Sequence, residues 1–187
     1  MEANTKYFAK PGPANTAATA EIAISRAREL QLKHIVVASN SGSTVELFLN
    51  QGFEVVWVTH HVGFTGPGED EVEADLRRKL AEKGVKILTT THLMAGIDRA
   101  LRLKAGGLYP AEIVAHTLRM FGQGVKVGIE CTVMALDAGL IPFGHEIIAV
   151  AGTGRGADSA LVLKPGHSSQ FFDTKIVEIS CKPRLNN

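Results

Sequence analysis

The segment His34-Ile-Val-Val-Ala-Ser-Asn-Ser-Gly-Ser-Thr-Val-Glu46 decides how the rest of the chain is read. It opens as a short β-branched apolar run, His34 to Ala38. It breaks at six small polar or glycine residues, Ser39, Asn40, Ser41, Gly42, Ser43 and Thr44, and resumes with helical spacing from Val45. Strand, polar loop and helix start in that order place free main-chain N–H groups at the carboxyl edge of a sheet. Such an edge suits a phosphate or carboxylate. Gly42 permits close backbone approach to a ligand, and the hydroxyls add hydrogen bonds. Ser, Asn and Thr are also common helix caps, so the loop reads two ways, as an anion site or as a plain capping loop.

Working outward, apolar positions Ala20, Ala23, Ile24, Ala27 and Leu30 predict a helix over 16–32 before the first strand, and 1–15 reads as an irregular leader. After the loop, a helix is expected over 43–51, ended by Gly52. The uniformly apolar run Phe53 to Thr59 fits a parallel strand covered on both faces. A loop over 60–70, an amphipathic helix over 69–83 and a strand over 85–89 follow. Three helical patterns come next, over 93–104, 110–121 and 125–138. A strand over 146–151, a glycine-rich loop over 152–158 and two strands, 159–163 and 175–181, complete the chain. The early helix–strand alternation predicts an α/β layered fold with a mainly parallel sheet. The late strands lack helices between them and should pair antiparallel at one sheet edge.

The 187 residues suit one domain over 1–187 with a sizeable core. With 45% hydrophobic and 21% charged residues, the composition is that of a soluble globular protein. A net charge of +1 offers no electrostatic case for nucleic acid or an anionic membrane surface. No long uncharged apolar run predicts a membrane span, and 1–15 has no apolar signal core, so a cytoplasmic protein is expected. Cys131 and Cys181 have no ligand-spaced partners, so no metal site is expected; Cys131 reads as a core residue.

Ligands of open parallel sheets sit beyond the strands' carboxyl ends. Four loops meet there, 39–44, 59–64, 89–92 and 152–158, each rich in hydroxyl, His or Gly. In the last, Arg155 could face a phosphate and Asp158 could accept from a ring N–H or a sugar hydroxyl; the alternative is a tight turn with solvent-facing charges. Its spacing is not that of a dinucleotide-binding fingerprint, and no helix follows it. His60, His61 and His92 follow strands and are candidate cleft residues, whereas His116 reads as structural and His145 as a turn residue. Glu130 and Asp137, seven apart on a helix, are a conceivable acid–base pair, with a solvated or capping role the commoner one. No nucleophile–base set can be named from spacing.

Two segments resemble a known family. Ala38-Ser39-Asn40-Ser41-Gly42-Ser43-Thr44, with the run to Thr59, is similar to the phosphate loop, helix and next strand of the pyruvate kinase C-terminal domain. Asp137-Ala-Gly-Leu-Ile-Pro-Phe-Gly-His-Glu-Ile-Ile-Ala-Val-Ala-Gly152 is similar to that domain's later helix end, glycine turn and strand. The chain looks most like the stand-alone archaeal and bacterial proteins that carry this domain alone. The resemblance implies a three-layer α/β/α sandwich. It implies a phosphorylated small-molecule ligand, with flavin mononucleotide (FMN) the first candidate. The phosphate would lie on Ser39, Asn40, Ser41, Gly42, Ser43 and Thr44. Thr59, His60 and Gly63 would line one wall, and Thr153, Gly154, Arg155 and Asp158 the other. Pyruvate kinase chemistry belongs to a separate barrel domain for which this chain has no room, so kinase activity is not expected. The alternatives are a flavin-dependent oxidoreductase and a metabolite-sensing module that binds a sugar phosphate or nucleotide. The helical stretch over 93–121 is longer than the resemblance predicts and could cover the site or form a homodimer face.

Overall fold

The computed structural model describes residues 4–184. These form one seven-stranded sheet in the order β1-β7-β6-β5-β2-β3-β4. The strands are β1 (Lys6–Phe8), β2 (His34–Ala38), β3 (Glu54–Val58), β4 (Lys86–Leu88), β5 (Ile147–Ala151), β6 (Ser159–Lys164) and β7 (Lys175–Pro183). The helices are α1 (Thr16–Glu29), α2 (Ser43–Glu46), α3 (Ala74–Glu82), α4 (Gly96–Ala105), α5 (Pro110–Arg119) and α6 (Gln123–Asp137).

Alternation along the central strands builds the layers. In β2, Ile35 and Val37 join a cluster with Ala20, Ala23 and Ala27 of α1 and Leu80 of α3. Val36, between them, joins Val125, Ile129 and Met134 of α6 on the opposite face. A strand buried on both sides must be apolar at every position, which is why β2 and β3 read as continuous runs. The fold is the expected α/β sandwich. The small side chains of α1 are what let that helix lie close to the sheet, against β5, β6 and β7. Helix α5 packs on α6, and α4 on α5.

Strands β5, β2, β3 and β4 are parallel, and β6 runs antiparallel to both β5 and β7, as the late sequence predicts. Beyond β7 lies β1, paired parallel with Lys6 opposite Cys181. The expected irregular leader therefore holds a strand at the edge of the sheet. Its three residues carry too little alternation to be seen without the partner strand.

The expected helix over 43–51 is only one turn long. After Glu46 the chain tightens: Phe48 N–H donates to Val45 O at 3.0 Å and Leu49 N–H to Glu46 O at 3.3 Å, three residues back rather than four. Helix α3 begins at Ala74, later than expected, because Asp70 Oδ1 takes the Val72 N–H at 3.0 Å and holds 70–72 in a turn. The two cysteines are free thiols in different clusters, Cys181 on the α1 face and Cys131 on the α6 face. Among the described residues, no helix is long and apolar enough to cross a membrane.

Candidate functional site

The chain before β2 comes from α1 on one face, and the chain before β5 comes from α6 on the other. From β2 the chain moves on to β3, away from β5. This is a reversal of strand order, where the carboxyl ends of adjacent strands open a crevice. A cleft of about 1000 Å³ lies there. Ser39, Asn40, Ser41 and Ser43 line it after β2, and Gly154 and Arg155 after β5.

The β2 loop is held from below. Ser39 N–H donates to Val58 O at 3.1 Å, Trp57 Nε1 donates to Ser39 O at 2.6 Å, and Ser39 Oγ accepts from the Gly42 N–H at 3.0 Å. Gly42 has φ 76°, and a Cβ on it would stand 3.0 Å from the Trp57 ring, so the loop rests directly on the buried indole. Gly42 and the buried Thr44 therefore shape the loop from beneath rather than line the cleft. Among the described residues, the main-chain N–H groups of Asn40, Ser41, Ser43 and Thr44 have no acceptor. The Arg155 guanidinium, on an exposed residue of the opposite wall, makes no ion pair among them either. Unpartnered donors on two sides of one cleft are an arrangement for an anion.

Beside the β2 loop stands His60. Its Nδ1 lies 2.5 Å from Glu71 Oε2, and Phe64 stacks on the ring at 3.7 Å between centroids; all three residues line the cleft. Thr59 is buried and bonded to His60 O at 2.8 Å and to Thr89 Oγ1 at 2.7 Å, so it braces the wall from behind. Gly63 spends its N–H on Glu69 O at 2.7 Å within the same loop. Thr153 lies next to the lining residues without joining them.

Asp158 is fully buried and does not line the cleft. Its Oδ2 accepts from the Gly12 N–H at 2.9 Å and its Oδ1 from the Ser159 hydroxyl at 3.0 Å. It ties the leader to the glycine loop and brings Pro13 and Thr16 into the cleft wall. Sequence reasoning missed Pro13, Thr16, Glu71, Gln123 and Val127. Gln123 and Val127, four apart on α6, carried the helical spacing that could have found them.

Glu130 and Asp137 do not come together. Glu130 is buried, ion-paired with Lys126, and accepts from the Met94 N–H at 2.7 Å. Asp137 accepts from the Ser168 N–H at 3.2 Å and lies 2.8 Å from His167 Nδ1. His61 and His92 sit behind His60, each ring 5.4 Å from its neighbour in the cluster. His116 is exposed on α5.

His92 carries a pH signature. Burial, with His60 and His61 adding to it against the opposing pull of Glu130, lowers its pKa from 6.5 to about 4. Between those values the unfolded chain holds the extra proton, so stability falls as pH drops from 6.5 towards 4 and is unaffected by this residue above 6.5. Urea midpoints across that range should fall less steeply in His92→Gln than in the parent. Equal slopes would contradict the assignment.

The sequence family described as "Pyruvate kinase, alpha/beta domain" matches residues 17–163, from the first turn of α1 to the end of β6. The chain belongs to the pyruvate kinase α/β-domain family. Among solved structures, a pyruvate kinase from Cryptosporidium parvum is similar at 17% identity and a TM-score of 0.41, over 81% of this chain and 23% of that one. The ADP complex of the Cryptosporidium parvum enzyme is similar at 19% identity and a TM-score of 0.42, over 92% of this chain and 25% of that one. The chain thus spans about a quarter of the length of these pyruvate kinases. The leader that supplies Pro13 and Thr16, and strand β7, lie outside the family match.

Proposed function

We propose that this α/β domain binds a phosphorylated small molecule in the cleft, with the phosphate on the Ser39–Thr44 loop. The observation that carries the reading is that, among the described residues, the main-chain N–H groups of the cleft-lining Asn40, Ser41 and Ser43 have no acceptor and Arg155 on the other wall makes no ion pair. Because α2 is a single turn, the anion would be held by these N–H groups and the hydroxyls of Ser41 and Ser43 rather than by a helix dipole. FMN is the ligand to test first. The cleft's volume, about 1000 Å³, is large enough for it. Bound FMN would supply redox chemistry; the chain's own residues would bind and orient it. Turnover of the pyruvate kinase type is not part of this reading.

The test is a visible absorption spectrum of freshly purified protein, with mass spectrometry of what heat releases. A flavin spectrum and an FMN mass are expected. Arg155→Ala should weaken ligand binding by roughly tenfold, the effect of one exposed charge-assisted hydrogen bond. Failure of FMN, sugar phosphates and inorganic phosphate alike to shift the melting temperature would overturn the reading.

A further inference from the structure

We propose that anion capture in this cleft is proton-linked through His60, whose imidazolium is held by Glu71 and donates from Nε2 to the bound phosphate group. The inference rests on the phosphate reading above and adds the residue that sets its dependence on pH.

The geometry of the pair decides the tautomer. Glu71 Oε2 lies 2.5 Å from His60 Nδ1, and an ionised carboxylate only accepts, so Nδ1 carries a hydrogen. In the neutral ring, Nε2 is then a bare lone pair, which repels the oxygens of an anion. With a second proton, Nε2 becomes a donor. Phe64, stacked at 3.7 Å and 26°, fixes the plane of the ring, so the choice at Nε2 is made in one orientation.

The position is set by the strands. Ala38 and Val58 are in register on parallel β2 and β3, and the Ser39 N–H bonds Val58 O at 3.1 Å. Asn40 and His60 therefore leave neighbouring strands side by side, and both line the cleft. The other charged or titratable groups around His60 come from four elements. His61 lies on its own loop, and His92, after β4, is 5.4 Å away by ring centroid. The buried Lys126–Glu130 pair of α6 stands behind His92. Arg99 of α4 sits 5.9 Å over the Phe64 ring. Glu71 is the one carboxylate hydrogen-bonded to His60 among the described residues, and it offsets the charge that the imidazolium brings into the complex.

The test is calorimetric titration with ribose 5-phosphate at pH 8, in two buffers of different ionisation enthalpy. At that pH a phosphomonoester, with a second pKa of about 6, is a dianion, and imidazole is ordinarily neutral. The expected result is net proton uptake on binding, with affinity falling as pH rises from 7 to 9. His60→Gln retains an N–H donor but cannot titrate, so uptake should vanish and affinity should become flat across that range. Glu71→Gln should weaken binding at least severalfold at pH 7, and it carries the test if His60→Gln does not fold. Binding without proton uptake, an unchanged slope in His60→Gln, or unchanged affinity in Glu71→Gln would overturn this inference and leave the phosphate reading standing. No binding by the parent protein would overturn both.

Discussion

Replacing Lys126 with methionine should lower the stability of the domain by about 3–5 kcal/mol, the cost of stranding a buried carboxylate. Lys126 and Glu130 are both buried, and each is the other's ion-pair partner on α6. Methionine fills the space of the lysine stem but leaves Glu130 charged and deprived of its cation. For a domain of this size, that loss corresponds to a fall in melting temperature of about 6–20 °C. The second half of the prediction concerns recovery. Glu130 also accepts the Met94 N–H at 2.7 Å, so truncating it outright would strand a main-chain donor. Glu130→Gln keeps an oxygen for that N–H while removing the charge. The Lys126→Met/Glu130→Gln double variant should therefore be much more stable than Lys126→Met alone. A double-mutant cycle by urea denaturation measures the difference. Strictly additive effects would show that the two side chains do not depend on each other.

Gly156→Ala is the second substitution with a large expected effect. Gly156 has φ 68°, and an added Cβ would stand 2.4 Å from Thr16 Oγ1 and 2.7 Å from Pro13 Cα. The left-handed backbone costs an alanine about 1–2 kcal/mol, and forcing extra volume into a packed contact costs about 1–3 kcal/mol more. Thr16 Oγ1 cannot simply swing aside. It accepts the Ala157 N–H at 3.0 Å and donates to Pro13 O at 2.7 Å, so it is the joint between the glycine loop and the leader. The expected outcome is a loss of about 2–5 kcal/mol in denaturant melts, with loss of ligand binding even at temperatures where the variant stays folded. A variant that melts early but binds normally would show that this joint supports the fold alone.

The layering was legible in the sequence because a strand buried on both faces leaves a continuous apolar run, as in Val55 to Val58, that few other structures explain. The Ser39–Thr44 loop was legible for a similar reason: its small polar residues interrupt two strongly patterned elements. What the sequence concealed was contact between distant segments. Glu71 is eleven residues from His60 in a loop without periodicity, and only folding makes them a pair. Asp158 has the chemistry of a ligand-binding carboxylate, and nothing local distinguishes that from its role as acceptor for Gly12. Single residues at strand ends advertise a cleft but not which side of the backbone they serve. Thr59 and Gly42 belong to the cleft's foundations for that reason. The length of α2 was hidden because Ser43 to Gln51 carries acceptable helical spacing, while tightening of the turn after Glu46 is decided by packing of Phe48 into the core.

The pairing of β1 with β7 has a bearing on how the domain comes to be made. Lys6 meets Cys181 across a long separation in sequence, so this contact closes a large loop. Long-range pairings of this kind form late, after the local units have settled. During synthesis, β1 emerges before β7 and must wait for it before it has that edge to lie against. The wall that holds Pro13 and Thr16 thus awaits β7, and a ribosome-bound nascent chain that has not yet exposed β7 would have the sheet's other strands in hand but no completed cleft.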